Sequence, residues 1–379
     1  MKIDHQNRIF GLDIMRAVAI MLVVISHTIW IFPDTKNLFT DLLSMAGVLG
    51  VEIFFVLSGF LIGRIIYRLF VDPDFNFKKV KYFWVRRWFR TLPNYYIILI
   101  LNMVMAIWFN TPLPDNLWRY FFFLQNFAWE MPFFFGESWS LPIEEFAYIL
   151  APLLLYLVMF IKVPVSKSKL FGSVTVLVIL LFIATKIIYN SVYVNKDMMF
   201  WNINLKAITI YRIDAIYYGI LAAYISIVKP SYWHKNRVLV FALGVFVFLG
   251  LNVAIPVCQI FIDSHPFFWN VLYLPINSFV FVCCLPLLSG FKKQPKFIGR
   301  PITLISTISY AMYLLHYSVV LKLMMNTYNA HEIESIIVKL LYLFVYFFFT
   351  TILSYFFYRI YEKPMTDLRD IPLIKNHFK

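Results

Sequence analysis

Apolar segments long enough to cross a lipid bilayer recur along the whole chain, separated by short polar connections. A transmembrane helix needs roughly 20 apolar residues, and ten segments reach about that length. They cover residues 11–32, 45–67, 91–109, 141–161, 170–190, 207–228, 237–256, 271–290, 303–325 and 335–358. The pattern therefore predicts an all-α, polytopic membrane helix bundle of about ten transmembrane helices. We expect residues 1–379 to form a single domain.

The basic residues indicate how this bundle is oriented. With the N-terminus in the cytoplasm, most of the 34 lysines and arginines fall on cytoplasmic connections, as the positive-inside rule describes. Both termini are then cytoplasmic, and one crossing remains between Asn110 and Lys162. The aromatic-rich stretch 117–135 is therefore predicted to be re-entrant, interfacial or packed within the bundle on its outer side.

Composition excludes a soluble domain, because 61% of the residues are hydrophobic and only 14% are charged. The net charge of +14 would be compatible with nucleic-acid binding. Since the positive charge follows the predicted topology, we attribute it to membrane orientation instead.

The first apolar segment carries three ionisable side chains: Asp13, Arg16 and His27. Charges inside a bilayer are costly and need a partner or a function. In a helix, Arg16 and His27 share one face about three turns apart, and Asp13 lies one turn from Arg16, within reach of it. Taken alone, the segment is also explained by an arginine that snorkels to the interface and a histidine bonded to a neighbouring helix.

Ionisable residues interrupt other apolar segments as well. Arg212 and Asp214 are close enough in sequence for a local ion pair, which would make both tolerable in the membrane. In the predicted topology, the ionisable residues of five segments lean toward the outer half: His27, Glu52, Glu144, Arg212, Asp214 and His316. Several such groups at one depth indicate a functional site.

One predicted cytoplasmic connection is strongly basic and includes Arg64, Arg68, Arg86, Arg87 and Arg90. Orientation in the membrane and attraction to anionic lipid are sufficient to explain this charge. The alternative is a phosphate-binding site, because the guanidinium fork matches phosphate oxygens.

Several short motifs occur in a fixed order along the chain. They are Arg16 with His27; Phe54 to Phe60 followed by Arg64; Arg86, Arg87 and Arg90 with Pro93 and Tyr95; Trp139 to Glu144; Arg212 and Asp214 with Gly219; Ser309 to His316; and Glu362 to Pro364. In order and placement they resemble the acyltransferase-3 family of membrane acyltransferases, which includes O-antigen and exopolysaccharide O-acetylases. The chain departs from the family pattern at Ala147, where the family usually has an aromatic residue, and it resembles the stand-alone form of the family.

The resemblance implies an O-acyltransferase in the cell's inner (cytoplasmic) membrane. It would use acyl-CoA, most often acetyl-CoA, as donor and a hydroxyl of a cell-surface glycan or glycolipid as acceptor, with no metal. His27 suits the general base, and Glu144 would hold its tautomer. Arg16 or Arg212 would stabilise the oxyanion. Direct transfer and an acyl-His27 intermediate both stay open.

The remaining site residues divide between donor and acceptor. We expect CoA phosphates to bind Arg64, Arg86, Arg87 and Arg90. The predicted substrate-binding residues are Glu52, Trp139, Ser140, Asp214, Tyr310 and His316. Expected partners are the acceptor and membrane lipids but no nucleic acid, and the oligomeric state stays open, a homo-oligomer included.

Two other classes compete with an enzyme. A transporter or flippase of an anionic glycolipid would also need intramembrane charges and a basic entrance. Against it, the chain has only 12 glycines and no evident inverted repeat or paired discontinuous helices. A structural scaffold is the third class, and it predicts no cluster of titratable groups at one depth.

Overall fold

A computed structural model describes residues 8–32, 38–161, 164–193 and 197–371 of the chain. Both termini lie outside these residues, so their cytoplasmic placement stays a prediction. Six basic residues used to predict the topology also lie outside them: Lys2, Lys36, Lys162, Lys196, Lys375 and Lys379.

Ten main helices correspond to the ten predicted segments. They are α1 (Phe10–Ser26), α2 (Leu38–Val71), α3 (Phe77–Trp108), α4 (Ser140–Val158), α5 (Lys167–Val192), α6 (Asp214–Val228), α7 (Arg237–Val257), α8 (Tyr273–Leu288), α9 (Gly299–Leu315) and α10 (Ile336–Phe357). Within the described residues, nine helical stretches are long and apolar enough to cross a membrane, and α6 is a shorter apolar helix. The predicted all-α polytopic bundle is confirmed.

Helix α2 is central, because it packs along α1, α6 and α8. Its contact with α6 depends on two glycines that face each other. A Cβ atom on Gly59 would lie 1.9 Å from the carbonyl oxygen of Ile216, and one on Gly219 would lie 2.1 Å from that of Val56. Only glycine permits the two backbones to approach this closely.

Helix α1 packs between α2 and α9. Its contacts with these two helices position the residues of the candidate site. The α-helical hydrogen bonding of α1 ends at His27, where a 3₁₀ turn runs to Ile31. That of α9 ends at Leu315, and a π-helical turn, His316–Leu321, follows. Each imidazole therefore lies where its α-helix ends, a position at which the backbone departs from regular geometry.

The aromatic stretch 117–135 is irregular apart from a short helix, Trp118–Phe121. Its backbone is tied into the bundle: the Asn126 side-chain amide donates to the carbonyl of Trp139 (2.7 Å), and the Asn126 carbonyl accepts from the Thr209 amide (2.9 Å). Tyr120 and Phe135 are fully buried, whereas Phe133 is exposed. This arrangement agrees with a segment packed within the bundle that links the start of α4 to α6.

The predicted orientation can be tested on α3, whose 32 residues span about 48 Å. Positions 79 and 115 lie near its two ends. In a chain whose three cysteines are replaced by serine, we expect a membrane-impermeant thiol reagent on intact cells to label Asp115→Cys and spare Lys79→Cys. The reverse labelling pattern would contradict the assignment of the basic connection to the cytoplasm.

Candidate active site

A cavity of about 480 Å³ opens among α1, α2, α3, α4 and α9. Five arginines line it: Arg16, Arg64, Arg68, Arg87 and Arg90. They come from the start of α1, the end of α2 and the first half of α3, so chain direction brings them to the same end of the bundle. Apolar side chains of α2, among them Phe54 and Phe55, complete the walls.

Within the described residues, the lining of this arginine cavity carries net positive charge, because it includes five arginines and one carboxylate, that of Glu144. None of its five arginines takes part in an ion pair within the part of the chain that the structure describes. The Arg64 guanidinium lies 5.7 Å from the centroid of the Phe60 ring, and that of Arg87 lies 4.4 Å from the Tyr148 ring. Unpaired guanidinium groups around a cavity are typical of a site for an anion.

Glu144 lies on the wall of this cavity, and not beside His27 as the sequence led us to expect. Its Oε1 accepts hydrogen bonds from the hydroxyls of Ser58 and Tyr148. The two hydroxyls are also within hydrogen-bonding distance of each other. The predicted role of Glu144 in holding the His27 tautomer is therefore wrong, and its contacts belong to the arginine cavity.

Tyr313 joins this cavity to the paired histidines. Its hydroxyl lies 2.7 Å from the Ser140 hydroxyl and donates to the Glu137 carbonyl (2.8 Å). Both Tyr313 and Ser140 line the cavity. The centroid of the Tyr313 ring is 5.9 Å from that of His316.

His27 and His316 form a direct contact between α1 and α9. Nε2 of His316 lies 3.2 Å from Nδ1 of His27, and the two rings meet edge to face with centroids 4.7 Å apart. His316 is fully buried, and His27 is half-buried. The Tyr317 ring also contacts His27, with ring centroids 4.6 Å apart.

The hydrogen bonds of this pair assign the tautomers of both neutral rings. Nδ1 of His316 lies 2.8 Å from the Tyr313 carbonyl and 3.1 Å from that of Met312, so it carries the proton and Nε2 is an acceptor. Nδ1 of His27 lies between this Nε2 and the Val23 carbonyl (2.9 Å), so it is the donor. The lone pair of His27 is therefore on Nε2, which can accept a proton.

A second cavity, of about 460 Å³, lies on the Tyr317 side of the histidine pair. Its lining includes Trp30, Tyr317, Ser318 and Lys322. Glu137 fixes the start of this wall, because its Oε1 accepts from both the backbone amide (3.0 Å) and the hydroxyl (2.6 Å) of Ser318. The histidines thus lie between the arginine cavity and this outer cavity.

Three predicted site residues, Glu52, Arg212 and Asp214, form buried ion pairs between helices instead of one local pair. Arg212 pairs with Glu52 of α2, whose Oε2 also accepts from Ser278 (3.0 Å). Asp214 pairs with Lys186 of α5. All of these side chains are buried. The expected Arg212–Asp214 ion pair is therefore wrong, and the structure does not bring Glu52, Arg212 or Asp214 into either cavity lining.

Asp13 lies within reach of Arg16 in sequence, but its partners in the structure are Arg8 and Ser306. Asp13 is bound by Arg8, whose guanidinium reaches both carboxylate oxygens (2.6 and 3.0 Å), and it accepts from Ser306 (2.8 Å). Arg16 instead lines the arginine cavity. Arg86 lies outside the cavity lining and pairs with Asp370 (2.9 Å).

The other predicted substrate-binding residues divide in the same way. Tyr310 lines the arginine cavity, and its hydroxyl donates to the Thr91 carbonyl (3.1 Å). Trp139 packs beneath the Lys206 ammonium, which lies 4.2 Å from the centroid of its ring. The structure thus brings Arg16, Arg64, Arg87, Arg90, Ser140, Glu144 and Tyr310 to one cavity and pairs His27 with His316 beside it.

The sequence model of a protein family described as "Acyltransferase domain" matches residues 9–359. This range is most of the chain and contains the residues that line both cavities. The chain belongs to the acyltransferase-3 family. The family assignment made from the motifs is therefore confirmed, and the chain is a multi-pass membrane protein.

Two curated relatives illustrate this similarity. The Bacillus subtilis (strain 168) protein named "Putative peptidoglycan O-acetyltransferase YrhL" is 26% identical over 348 residues, covering 84% of this chain and 50% of that protein. "Peptidoglycan O-acetyltransferase OatA" of Listeria monocytogenes is 28% identical over 168 residues, covering 40% and 24%. The chain thus spans half or less of the length of these relatives. No solved structure matches it.

Four residues around the histidines were not singled out from the sequence: Tyr313, Tyr317, Glu137 and Lys322. Tyr313 carried a usable signal, since it lies one turn before His316 on the same face of α9. Glu137 lies two residues before the Trp139 to Glu144 motif, but its partner Ser318 is 181 residues away. Only the packing of α9 against the start of α4 reveals that contact.

Proposed function

We propose that this chain is an O-acyltransferase that moves an acyl group, most simply acetyl, from acyl-CoA to a hydroxyl of a cell-envelope polysaccharide. The observation that carries the proposal is the arginine cavity, whose five guanidinium groups form no ion pair among the described residues and adjoin the histidine pair through Ser140 and Tyr313. CoA supplies the phosphates that such a cavity would bind.

The cavity suits a ligand with an anionic head and an apolar arm. Arg68 is exposed at its edge, and Arg16 and Arg90 lie deeper. Beyond the arginines the lining changes to Val51, Phe54 and the hydroxyls near Glu144. We infer that the CoA phosphates pair with the arginines while the pantetheine arm extends toward Ser58 and Ser140.

The proposed reaction depends on His27 being neutral, with its lone pair on Nε2. As the acceptor hydroxyl attacks the thioester carbonyl, its proton passes to Nε2 of His27. The new C–O bond forms, the C–S bond breaks, and the imidazolium returns the proton to the departing thiolate. Arg16, the cavity arginine on the same helix as His27, is our candidate for stabilising the oxyanion. An acyl-His27 intermediate would use the same lone pair as nucleophile.

The names of the two relatives describe O-acetylation of peptidoglycan, and we propose an envelope polysaccharide of this kind as acceptor. The polytopic fold and the charge distribution support a location in the cytoplasmic membrane, with donor on the inner side and acceptor on the outer side.

Purified protein in liposomes with labelled acetyl-CoA distinguishes this proposal from a glycolipid carrier. Transfer of label to an added glycan, or loss of the acetyl group to water, supports an acyltransferase. A silent preparation that nevertheless moves a glycolipid between leaflets would contradict the proposal and favour a flippase.

The donor site predicts a contrast between two arginines on α3. We expect Arg90→Ala to raise the KM for acetyl-CoA about 10–100-fold, because a lost hydrogen bond to a charged group costs about 1.5–3 kcal/mol. Arg86→Ala, four residues away and outside the cavity, is the matched control and should leave KM near the wild-type value. Steady-state kinetics at saturating acceptor measures both. Equal KM values for the two variants would show that the cavity does not bind the donor.

A further inference from the structure

The outer cavity is lined by Lys322, which forms no ion pair in the part of the chain that the structure describes, although the charge of Glu137 acts on it. The Lys322 ammonium donates to the Phe134 carbonyl (2.6 Å) and lies 5.7 Å from the centroid of the Tyr317 ring. Glu137 binds Ser318 through Oε1 and forms no ion pair with Lys322 in the described part of the chain. An ammonium has three donors, so Lys322 retains hydrogen-bonding capacity for an anion.

The rest of the lining combines aromatic faces with neutral polar groups. Trp30, Phe109 and Phe133 supply flat apolar surfaces, and Asn102 and Asn326 supply amides. Thr111 adds a hydroxyl. A carbohydrate presents an apolar ring face and a rim of hydroxyls, so this mixture of aromatic and amide side chains is complementary to a sugar unit.

One residue connects this cavity to the imidazole of His27. Tyr317 lines the cavity, and its ring contacts the imidazole of His27 with centroids 4.6 Å apart. A sugar held against Tyr317 is therefore adjacent to the histidine pair. Lys322 lies five residues after Tyr317 in the same cavity lining, where it could bind a second substituent of that sugar.

We propose that the outer cavity is the acceptor subsite and that it selects an anionic sugar, with a carboxylate or phosphate of the acceptor paired to Lys322 and the hydroxyl to be acylated directed to His27. This inference rests on the proposed acyltransferase function and adds the chemical class of the acceptor. It also assigns Lys322 as the residue that determines acceptor specificity.

The test compares matched acceptors on the full chain in liposomes with acetyl-CoA. The probes are a soluble oligosaccharide of N-acetylglucosamine and N-acetylmuramic acid, the same oligosaccharide with its carboxylates methyl-esterified, and an N-acetylglucosamine oligosaccharide carrying a phosphate. We expect wild type to prefer the charged probes by about tenfold or more in KM. Lys322→Gln should lose that preference, and Lys322→Arg should restore it.

Lys339→Gln removes the same charge near the start of α10, outside the cavity lining, and should keep the wild-type preference. Whichever charged probe depends more on Lys322 identifies the anion as carboxylate or phosphate. If Lys322→Gln weakens charged and esterified probes equally, Lys322 only anchors Phe134 and the inference is overturned; an unchanged preference overturns it as well.

Equilibrium binding of the carboxylated probe, measured without acetyl-CoA, separates this inference from the proposed function. Binding that depends on Lys322 in a protein without transferase activity would keep the anionic-sugar site and reject the acyltransferase. Normal transfer with binding independent of Lys322 would keep the acyltransferase and reject the anionic-sugar site.

Discussion

His27→Ala is expected to lower turnover by about 10²–10⁴-fold while the protein still inserts and folds. The substitution removes the lone pair on Nε2 that would accept the proton of the acceptor hydroxyl. In the wild type, only the neutral imidazole of His27 has this lone pair available. The wild-type rate should therefore fall on the acid side, as His27 becomes protonated. The measurement is acetyl transfer per folded molecule, with folded protein counted by size-exclusion chromatography in detergent.

Two further histidine variants serve as controls for this result. His234→Ala removes an exposed imidazole from the short helix Pro230–Lys235 and should not affect turnover. His316→Ala leaves the His27–Val23 hydrogen bond in place, so it should cost less than His27→Ala. Near-normal turnover in His27→Ala would rule out His27 as the base, and a loss seen only in His316→Ala would assign that role to α9.

Arg212→Met is expected to destabilise the folded bundle by about 3–5 kcal/mol, because it leaves the carboxylate of Glu52 buried without its charged partner. Arg212 is 0% exposed and Glu52 1%. The midpoint of thermal unfolding in detergent, followed by intrinsic fluorescence, should fall markedly. Arg369→Met breaks a partly exposed pair with Asp370 and should change stability by no more than about 1 kcal/mol.

The double variant Arg212→Met, Glu52→Leu separates structure from catalysis at this site. Since no buried charge is left unpaired, we expect it to recover much of the lost stability. If Arg212 acts only in folding, turnover per folded molecule recovers too. A folded double variant without turnover would instead support the catalytic role predicted for Arg212 from the sequence.

The sequence located the helices well because the length of a membrane-spanning helix is set by the lipid bilayer and not by its packing against other helices. Lipid offers no hydrogen bonds to the backbone, so a span must be helical and about as long as the bilayer is thick. Stretch 117–135 was correctly separated from the spans by charge alone. The shorter α6 was the exception: the spanning segment predicted over 207–228 begins with a 3₁₀ turn, Thr209–Tyr211, before the helix starts at Asp214.

The motifs also placed most of the polar residues that surround the arginine cavity. Arg16 was predicted as a candidate for stabilising the oxyanion, and only the structure brings it to this cavity. Arg64, Arg87 and Arg90 were assigned to one end of the bundle by chain direction and charge. Arg86 was wrongly grouped with them, because adjacent residues of a helix point in directions about 100° apart and only packing decides which one faces a cavity.

The pairing of charges was decided by tertiary structure alone. Sequence reasoning considered partners on the same or adjacent turn, and so it placed Asp13 within reach of Arg16 and Arg212 close enough to Asp214 for a local ion pair. In the bundle, Glu52 and Lys186 reach Arg212 and Asp214 from other helices. Desolvation makes any buried charge bind the partner that packing brings nearest, and that partner is not encoded in local spacing.

The same reason explains the histidines. By itself the sequence determined that His27 and His316 are the imidazoles within the apolar spans and that Arg16 shares a helix face with His27. That the two rings touch, and that Val23 and His316 leave the lone pair on Nε2 of His27, follows from α1 lying between α2 and α9. The tautomer depends on contacts of about 3 Å between helices distant in sequence, which only the packed structure supplies.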